Sequence, residues 1–253
     1  MPFDLDQVRL RLPGRDVVYF DTLDSTMHQA AGLAQSGCAA GTAVVAGAQT
    51  AGLGRHGHSW HSEPSSGLYV SIVLRPDLEP DGLPSLTLAL GLAVAEAIAR
   101  ATGLECDLRW PNDILLGGKK AAGILVNVVE SAAIAGIGIN VNHQSFPGDL
   151  AGLATSLRLA AGRPFSREDL LVHLLLAVDG FCRMLREAGR DAILEVFERR
   201  SSYARGKPVV VYQEGGLLHG VTAGLDASGF LLVDTRDGKR ETILAGGVRA
   251  AGA

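Results

Sequence analysis

The sequence predicts an α+β protein that ends in a small SH3-like β-barrel. Apolar helical periods and β-branched runs alternate up to about residue 203. One Ala/Leu-rich run, Leu86–Ala101, reads as a core-facing helix. Beyond Tyr203 the texture changes to short β-runs separated by turn chemistry. These observations place a larger unit at residues 1–203 and the barrel at 204–253.

Taken in order, Val17–Asp21 reads as a strand. Ser25 or Thr26 then caps a helix that runs to about Ser36 and closes at Gly37. Thr42–Ala48 is an apolar β-branched run, a buried strand. Residues 49–66 are rich in Gly, His and Ser, lack an apolar period and form a long loop. Gly67–Leu74 alternates as a strand, and Leu108–Trp110 and Ile114–Leu116 are short strands around Pro111. Gly117–Gly118 makes a tight turn, and Ala121–Val129 pairs antiparallel with Ala133–Val141. Ser166 with Asp169 starts a helix that ends near Gly189, and another covers Asp191–Arg200. The tail offers four β-runs, at Val209–Tyr212, Leu217–Thr222, Phe230–Val233 and Glu241–Leu244. Turns at Glu214–Gly216, Asp226–Gly229 and Asp237–Gly238 divide them.

With 23 basic and 27 acidic side chains the net charge is −4, which argues against a nucleic-acid backbone as the main partner. Cys38, Cys106 and Cys182 are widely spaced with no CxxC, as expected of thiols in a reducing cytoplasm. The N-terminal segment is sprinkled with Arg and Asp and carries no apolar signal-peptide core. The Leu86–Ala99 run contains Glu96 and is too short to span a membrane, so no membrane partner is expected.

Four stretches carry chemistry. In Gln49–Trp60 the glycines at 52, 54 and 57 let backbone N–H groups converge on an anion. Arg55 adds a planar fork of donors and Trp60 a flat apolar face. The stretch is neither a Walker loop nor a G-x-G-x-x-G helix opening. The second, Arg109–Leu116, brings Asn112 and Asp113 to a strand start; Asp113 could hold Mg²⁺, accept a ligand N–H or orient a lysine. Lys120 stands before an apolar strand, where it can either enter a pocket and neutralise an anion or share a solvated hairpin end with Lys119. In the third, Gly136–Asn142, two glycines in a buried strand suggest close approach to the backbone, or a bulge. Ser25-Thr26 is the fourth, a helix cap that can also bind a ligand. His56, His58 and His61 lack acids or cysteines at metal-ligand spacing and read as a polar loop.

Six motifs in order bear a specific resemblance: Asp24-Ser25-Thr26, the GxGRxGxxW loop, Trp110–Asp113, Lys120–Leu125, Gly136–Asn140 and Ala154–Leu157. With the β tail they resemble the biotin–protein ligase (biotin–[acetyl-CoA-carboxylase] ligase) family over nearly the whole chain, Val17–Val248. The resemblance implies a central mixed sheet flanked by helices, of the class II synthetase-like kind, and the SH3-like tail. It implies activation of biotin with ATP and transfer to a lysine of a biotin carboxyl carrier protein domain, with Mg²⁺. It implies biotin contacts at Ser25, Thr26, Gln49, Gly52, Leu53, Gly54, Arg55, Lys120, Gly123 and Gly136. Arg55, Trp60, Asn112, Asp113 and Asn140 would bind ATP; Lys120, Arg55 and Asp113 would be catalytic, with Asp113 near the metal.

The chain departs from the family where Leu53 and His58 replace common arginines, which removes positive charge from the loop, and where Met27-His28 follows Ser-Thr. Little chain precedes Val17, which implies the ligase-only class without a DNA-binding domain. The family includes monomers and dimers joined through the sheet edge, so a homodimer stays open. The rival reading is a lipoate ligase or octanoyltransferase of the same fold; a biotin-sensing repressor or a plain interaction module fits the motifs less well.

Overall fold

A computed structural model describes residues 3–76, 82–213 and 215–252. Seven strands make the main sheet, in the order β1 (Val17–Leu23), β2 (Ala43–Gln49), β3 (Gly67–Leu74), β7 (Ala132–Asn140), β6 (Lys119–Val129), β5 (Asp113–Leu116) and β4 (Asp107–Arg109). Only β1 and β2 pair in parallel, through the crossover helix α2 (Thr26–Gln35), so the sheet is mixed.

The central strands are apolar on both faces, because both faces are covered. Val44, Val73 and Ile134 pack with Met27, Ala30 and Ala34 of α2. Val45, Val70, Ile72 and Ile137 face the opposite core, against α3 (Leu83–Thr102) and α5 (Arg167–Arg200). The alternation expected of Gly67–Leu74 therefore does not separate inside from outside; all eight residues are buried.

α3 is longer than expected. By length and composition alone it could cross a membrane. It instead packs along α5 and the sheet, with residues such as Leu86, Leu90, Val94 and Ile98 fully enclosed. Ser166 caps α5 by accepting from the Asp169 N–H, while the Asp169 carboxylate turns to Arg11 at 2.5 Å. Gly189, at φ 80°, interrupts α5 where the two expected helices were to meet.

Three elements escaped the sequence reading: α1 (Leu5–Arg11), α4 (Leu157–Ala161) and a fifth tail strand. α1 is capped by Asp4, which accepts from the Gln7 N–H. The tail forms a five-stranded antiparallel sheet in the order β11 (Arg240–Ile243), β10 (Leu231–Thr235), β9 (Gly216–Leu225), β8 (Arg205–Gln213) and β12 (Gly247–Ala250). The expected turn at Glu214 lies outside the described residues. The tail is tied to the main sheet by the Trp110 indole, whose Nε1 donates to the Gly229 carbonyl at 3.0 Å, while Ser201 Oγ, at the C-terminal cap of α5, donates to the Leu108 carbonyl of β4 at 2.6 Å.

Candidate active site

A cleft opens on the α2 side of β6 and β7, roofed by the Gly-rich segment. Its floor is bare backbone. A Cβ built on Gly138 would collide with the Trp60 indole, and one on Gly123 would lie 2.8 Å from Trp60 Cζ3 and 2.9 Å from Lys120 Cε. A Cβ on Gly136 would reach 2.5 Å from Met27 Sδ. The reading of close approach is therefore the one the backbone follows.

The Gly-rich segment is more ordered than a loop reading suggests. Gly54 N–H donates to the His58 carbonyl at 2.7 Å, and Trp60 N–H to the Gly52 carbonyl at 2.8 Å. Leu53 and Ser59 form a bridge, with a short 3₁₀ turn at Arg55–Gly57 between them. This folded-back ribbon places Leu53, Arg55 and Trp60 on the cleft.

A bulge aims Lys120. Along the β5–β6 ladder Ile114 faces Ala122, but Leu115 already faces Lys120, so Ala121 is an extra residue. A bulge flips the side-chain alternation beyond it. Ala121 and Ala122 both enter the core, and Lys120 joins the face that Gly123 exposes to the cleft. Lys119 stays in solvent at the hairpin end, which Gly117 and Gly118 turn with φ of 56° and 79°.

Lys120 Nζ lies 2.5 Å from Asp113 Oδ1, and the Arg109 guanidinium reaches Oδ2 at 2.6 and 3.2 Å. Burial pushes the Asp113 carboxyl up, but the adjoining Lys120 and Arg109 charges hold it below the usual carboxylate range. Arg55 donates to Asn112 Oδ1 at 2.9 Å, and Asn112 Nδ2 donates to the Ile124 carbonyl. Burial lowers the Arg55 pKa, with Asp113 nearby opposing it. Three cations thus surround one carboxylate, a field suited to anionic ligands.

The opposite end of the cleft is polar but uncharged. Thr26 N–H and Oγ1 donate to Gln49 Oε1 at 2.9 and 3.1 Å, and Ser71 Oγ donates to Thr26 Oγ1 at 2.8 Å. Gln49 Nε2 in turn donates to Ser62 Oγ at 3.0 Å.

Of the residues expected in the site, Thr26, Gln49, Leu53, Gly54, Arg55, Trp60, Asn112, Lys120, Gly123 and Gly136 converge on this cleft. Four do not line it. Ser25 is fully buried and serves as the α2 cap, accepting from the Met27 N–H. Gly52 backs the ribbon against the Trp60 carbonyl. Asn140 is a buried latch, its Nδ2 donating to the Thr155 carbonyl at 3.0 Å. Asp113 stands behind Lys120, its Oδ1 2.5 Å from Lys120 Nζ.

The donor set does not fit a magnesium ion held by the protein. Both Asp113 oxygens face cations, and among the described residues no three His, Cys, Asp or Glu side chains gather as a metal cage needs. The sequence reading missed Ser62, Ser71 and Arg109. Ser71 was legible as the single polar residue inside an apolar strand, and Arg109 as the neighbour of Trp110 in the second motif.

A mixed sheet with a glycine floor, a cationic end and an appended β unit makes a cleft for a ligand that carries an anionic end. The profile of the Biotin/lipoate A/B protein ligase family matches residues 19–143, and that of the Biotin protein ligase C terminal domain matches residues 206–248. The chain belongs to the biotin/lipoate A/B protein ligase family. It is 38% identical over 240 residues to the bifunctional ligase/repressor BirA of Bacillus subtilis, covering 91% of this chain and 73% of that protein. It is 32% identical over 213 residues to the biotin–[acetyl-CoA-carboxylase] ligase of Mycobacterium tuberculosis, covering 82% and 77%. The biotin protein ligase of Aquifex aeolicus, solved in complex with biotin and ATP, superposes with a TM-score of 0.84 at 32% identity, over 93% of this chain and 99% of that one.

Proposed function

We infer that this chain is a biotin–protein ligase: it activates biotin with ATP to biotinyl-5′-AMP and transfers the biotinyl group to a lysine. The order of chemistries along the cleft carries this reading. Neutral hydrogen-bonding groups (Thr26, Gln49) stand at one end, glycines under Trp60 form the floor, and Lys120 and Arg55 supply charge at the other end. Biotin presents the same order: a neutral ureido ring, an apolar body and a carboxylate.

In the first step a biotin carboxylate oxygen attacks the α-phosphorus of ATP, and pyrophosphate leaves. Anions must approach one another, and fixed cations reduce that cost without reorganising. Lys120 meets the carboxylate and Arg55 the phosphate, while Asn112 holds Arg55 in place. Thr26 and Gln49 bind the ureido group, with Ser71 fixing the Thr26 hydroxyl. The ribbon over Trp60 keeps water from the mixed anhydride. In the second step the target amine attacks the acyl carbon and AMP leaves. No enzyme nucleophile is needed.

The acceptor is a lysine on the biotin carboxyl carrier domain of a carboxylase, a reading supported by the likeness to the biotin–[acetyl-CoA-carboxylase] ligase of Mycobacterium tuberculosis. Three free cysteines support action in a reducing cytoplasm. The catalytic unit is residues 1–203 and the SH3-like unit 204–253, supported by the start of β8 at Arg205.

Isotope exchange between pyrophosphate and ATP tests the substrate. Biotin is expected to support exchange, while lipoate and octanoate are not. Exchange with lipoate and none with biotin would move the chain to the lipoate branch of the family.

A further inference from the structure

Arg109, Asp113 and Lys120 come from three neighbouring strands, β4, β5 and β6, and form a ladder across the edge of the sheet. Arg109 is the direct cross-strand partner of Asp113. Asp113 faces Gly123, whose missing side chain leaves room for the Lys120 stem. Arg109 takes Asp113 Oδ2 with both Nε and Nη2, at 3.2 and 2.6 Å, and leaves Oδ1 to Lys120. The Arg109 and Asp113 side chains are 18% and 16% exposed, against 31% for Lys120, so the lysine is the open end of the ladder.

Two N–H donors of one rigid guanidinium converge on the single oxygen Oδ2 and hold it on the Arg109 side, a firmer restraint than one rotatable ammonium offers. It also satisfies the negative charge from behind. We propose that Arg109 is a positioning residue for biotin activation: it holds Asp113 so that one oxygen seats Lys120, and it leaves the lysine's charge for the incoming carboxylate. This rests on the reading of Lys120 as the cation that meets that carboxylate. Without Arg109, the Asp113 carboxylate is free to turn and take Lys120 with both oxygens. The ladder then carries no surplus positive charge toward the cleft.

The test compares Arg109→Met, Arg109→Lys, Lys120→Ala and the double variant Arg109→Met/Lys120→Ala. Pyrophosphate exchange, melting temperature, and affinity for biotin and its uncharged alcohol analogue are measured for each. Arg109→Met is expected to slow exchange roughly ten- to a hundredfold, the range typical of groups that orient a first contact, and to weaken biotin but not the alcohol. Arg109→Lys should restore part of the exchange. In the Lys120→Ala background, losing Arg109 should cost no more than about twofold further, because the two act as one unit. Equal losses in both backgrounds, or equal weakening of biotin and the alcohol, would overturn the inference and make Arg109 an independent or merely structural residue. Full exchange by Lys120→Ala would instead sink the reading of Lys120 itself, and this inference with it.

Discussion

The indole of Trp60 rests on Gly138, so closely that a methyl group at that glycine would run into the ring. Its Nε1 is buried and has no partner in the protein. Gly138→Ala is therefore expected to lift the indole from the floor, to cost about 1–3 kcal/mol of stability, the usual cost of overpacking, and to weaken biotin binding. Trp60 and Trp110 are the two tryptophans, and Trp110 is 3% exposed in the core. A shift in intrinsic emission thus reports Trp60. Unchanged emission and unchanged affinity would mean that the ring does not depend on the bare floor.

Lys120→Ala should fold and lose activation by on the order of 3–4 kcal/mol in the transition state, the scale of a lost charge-stabilising donor. Asp113→Asn should behave differently. It strips the shared anion from two partly buried cations, so it should cost both stability, by about 3 kcal/mol, and pyrophosphate exchange. An Asp113→Asn protein with the parent's melting temperature and exchange rate would show that the carboxylate does not seat the lysine.

Arg55 and Leu53 both sit on the ribbon over the cleft, yet they should fail separately. Arg55 is tied to Asn112 at 2.9 Å and is the charged part of the roof. Leu53 is 38% exposed and can close over apolar parts of the ligand. Arg55→Gly should release biotinyl-adenylate faster, and Leu53→Ala should mainly weaken biotin. Stopped-flow release after a chase with unlabelled biotin separates them. Adenylate held as long by Arg55→Gly as by the parent would place the clamp elsewhere.

His143 gives a pH signature to the anchor of the Gly-rich segment. It is fully buried beneath Phe146, 3.4 Å from the Tyr69 hydroxyl, and Tyr69 in turn donates to the Glu63 carbonyl. Burial, with His61 adding to it and Glu63 opposing it, pushes its pKa down to about 4. The unfolded chain takes up this proton near pH 6.5, so between those values it binds more protons than the folded chain. Stability should fall as pH drops through that window, by on the order of 3 kcal/mol from this group. Melting curves from about pH 7.5 to 4.5 should lose that part of their slope in His143→Gln. An identical slope in the variant would assign the effect to other groups.

Local grammar made much of this fold legible. The Ser25 cap, the Gly117–Gly118 turn and the break at Gly189 each follow from one or two residues and their neighbours. The site was less so. Lys120 could be proposed for a pocket, but its direction depends on a bulge at Ala121 that only the ladder with β5 reveals. Asp113 left three roles open because its partners, Arg109 and Lys120, arrive from flanking strands. Asn140 and Ser25 sit in motifs that point to ligand contact, yet their polar groups are spent on the backbone nearby. α1 was missed because a short helix with Val8 as its only buried residue leaves almost no periodic signal.

The central claim is tested most directly by incubating the protein with ATP, Mg²⁺, biotin and a carboxylase carrier domain, then weighing the carrier by mass spectrometry. One biotinyl group is expected on a single carrier lysine with the parent chain, and little or none with Lys120→Ala. An unmodified carrier, in a reaction where the chain is folded and binds biotin, would contradict the account.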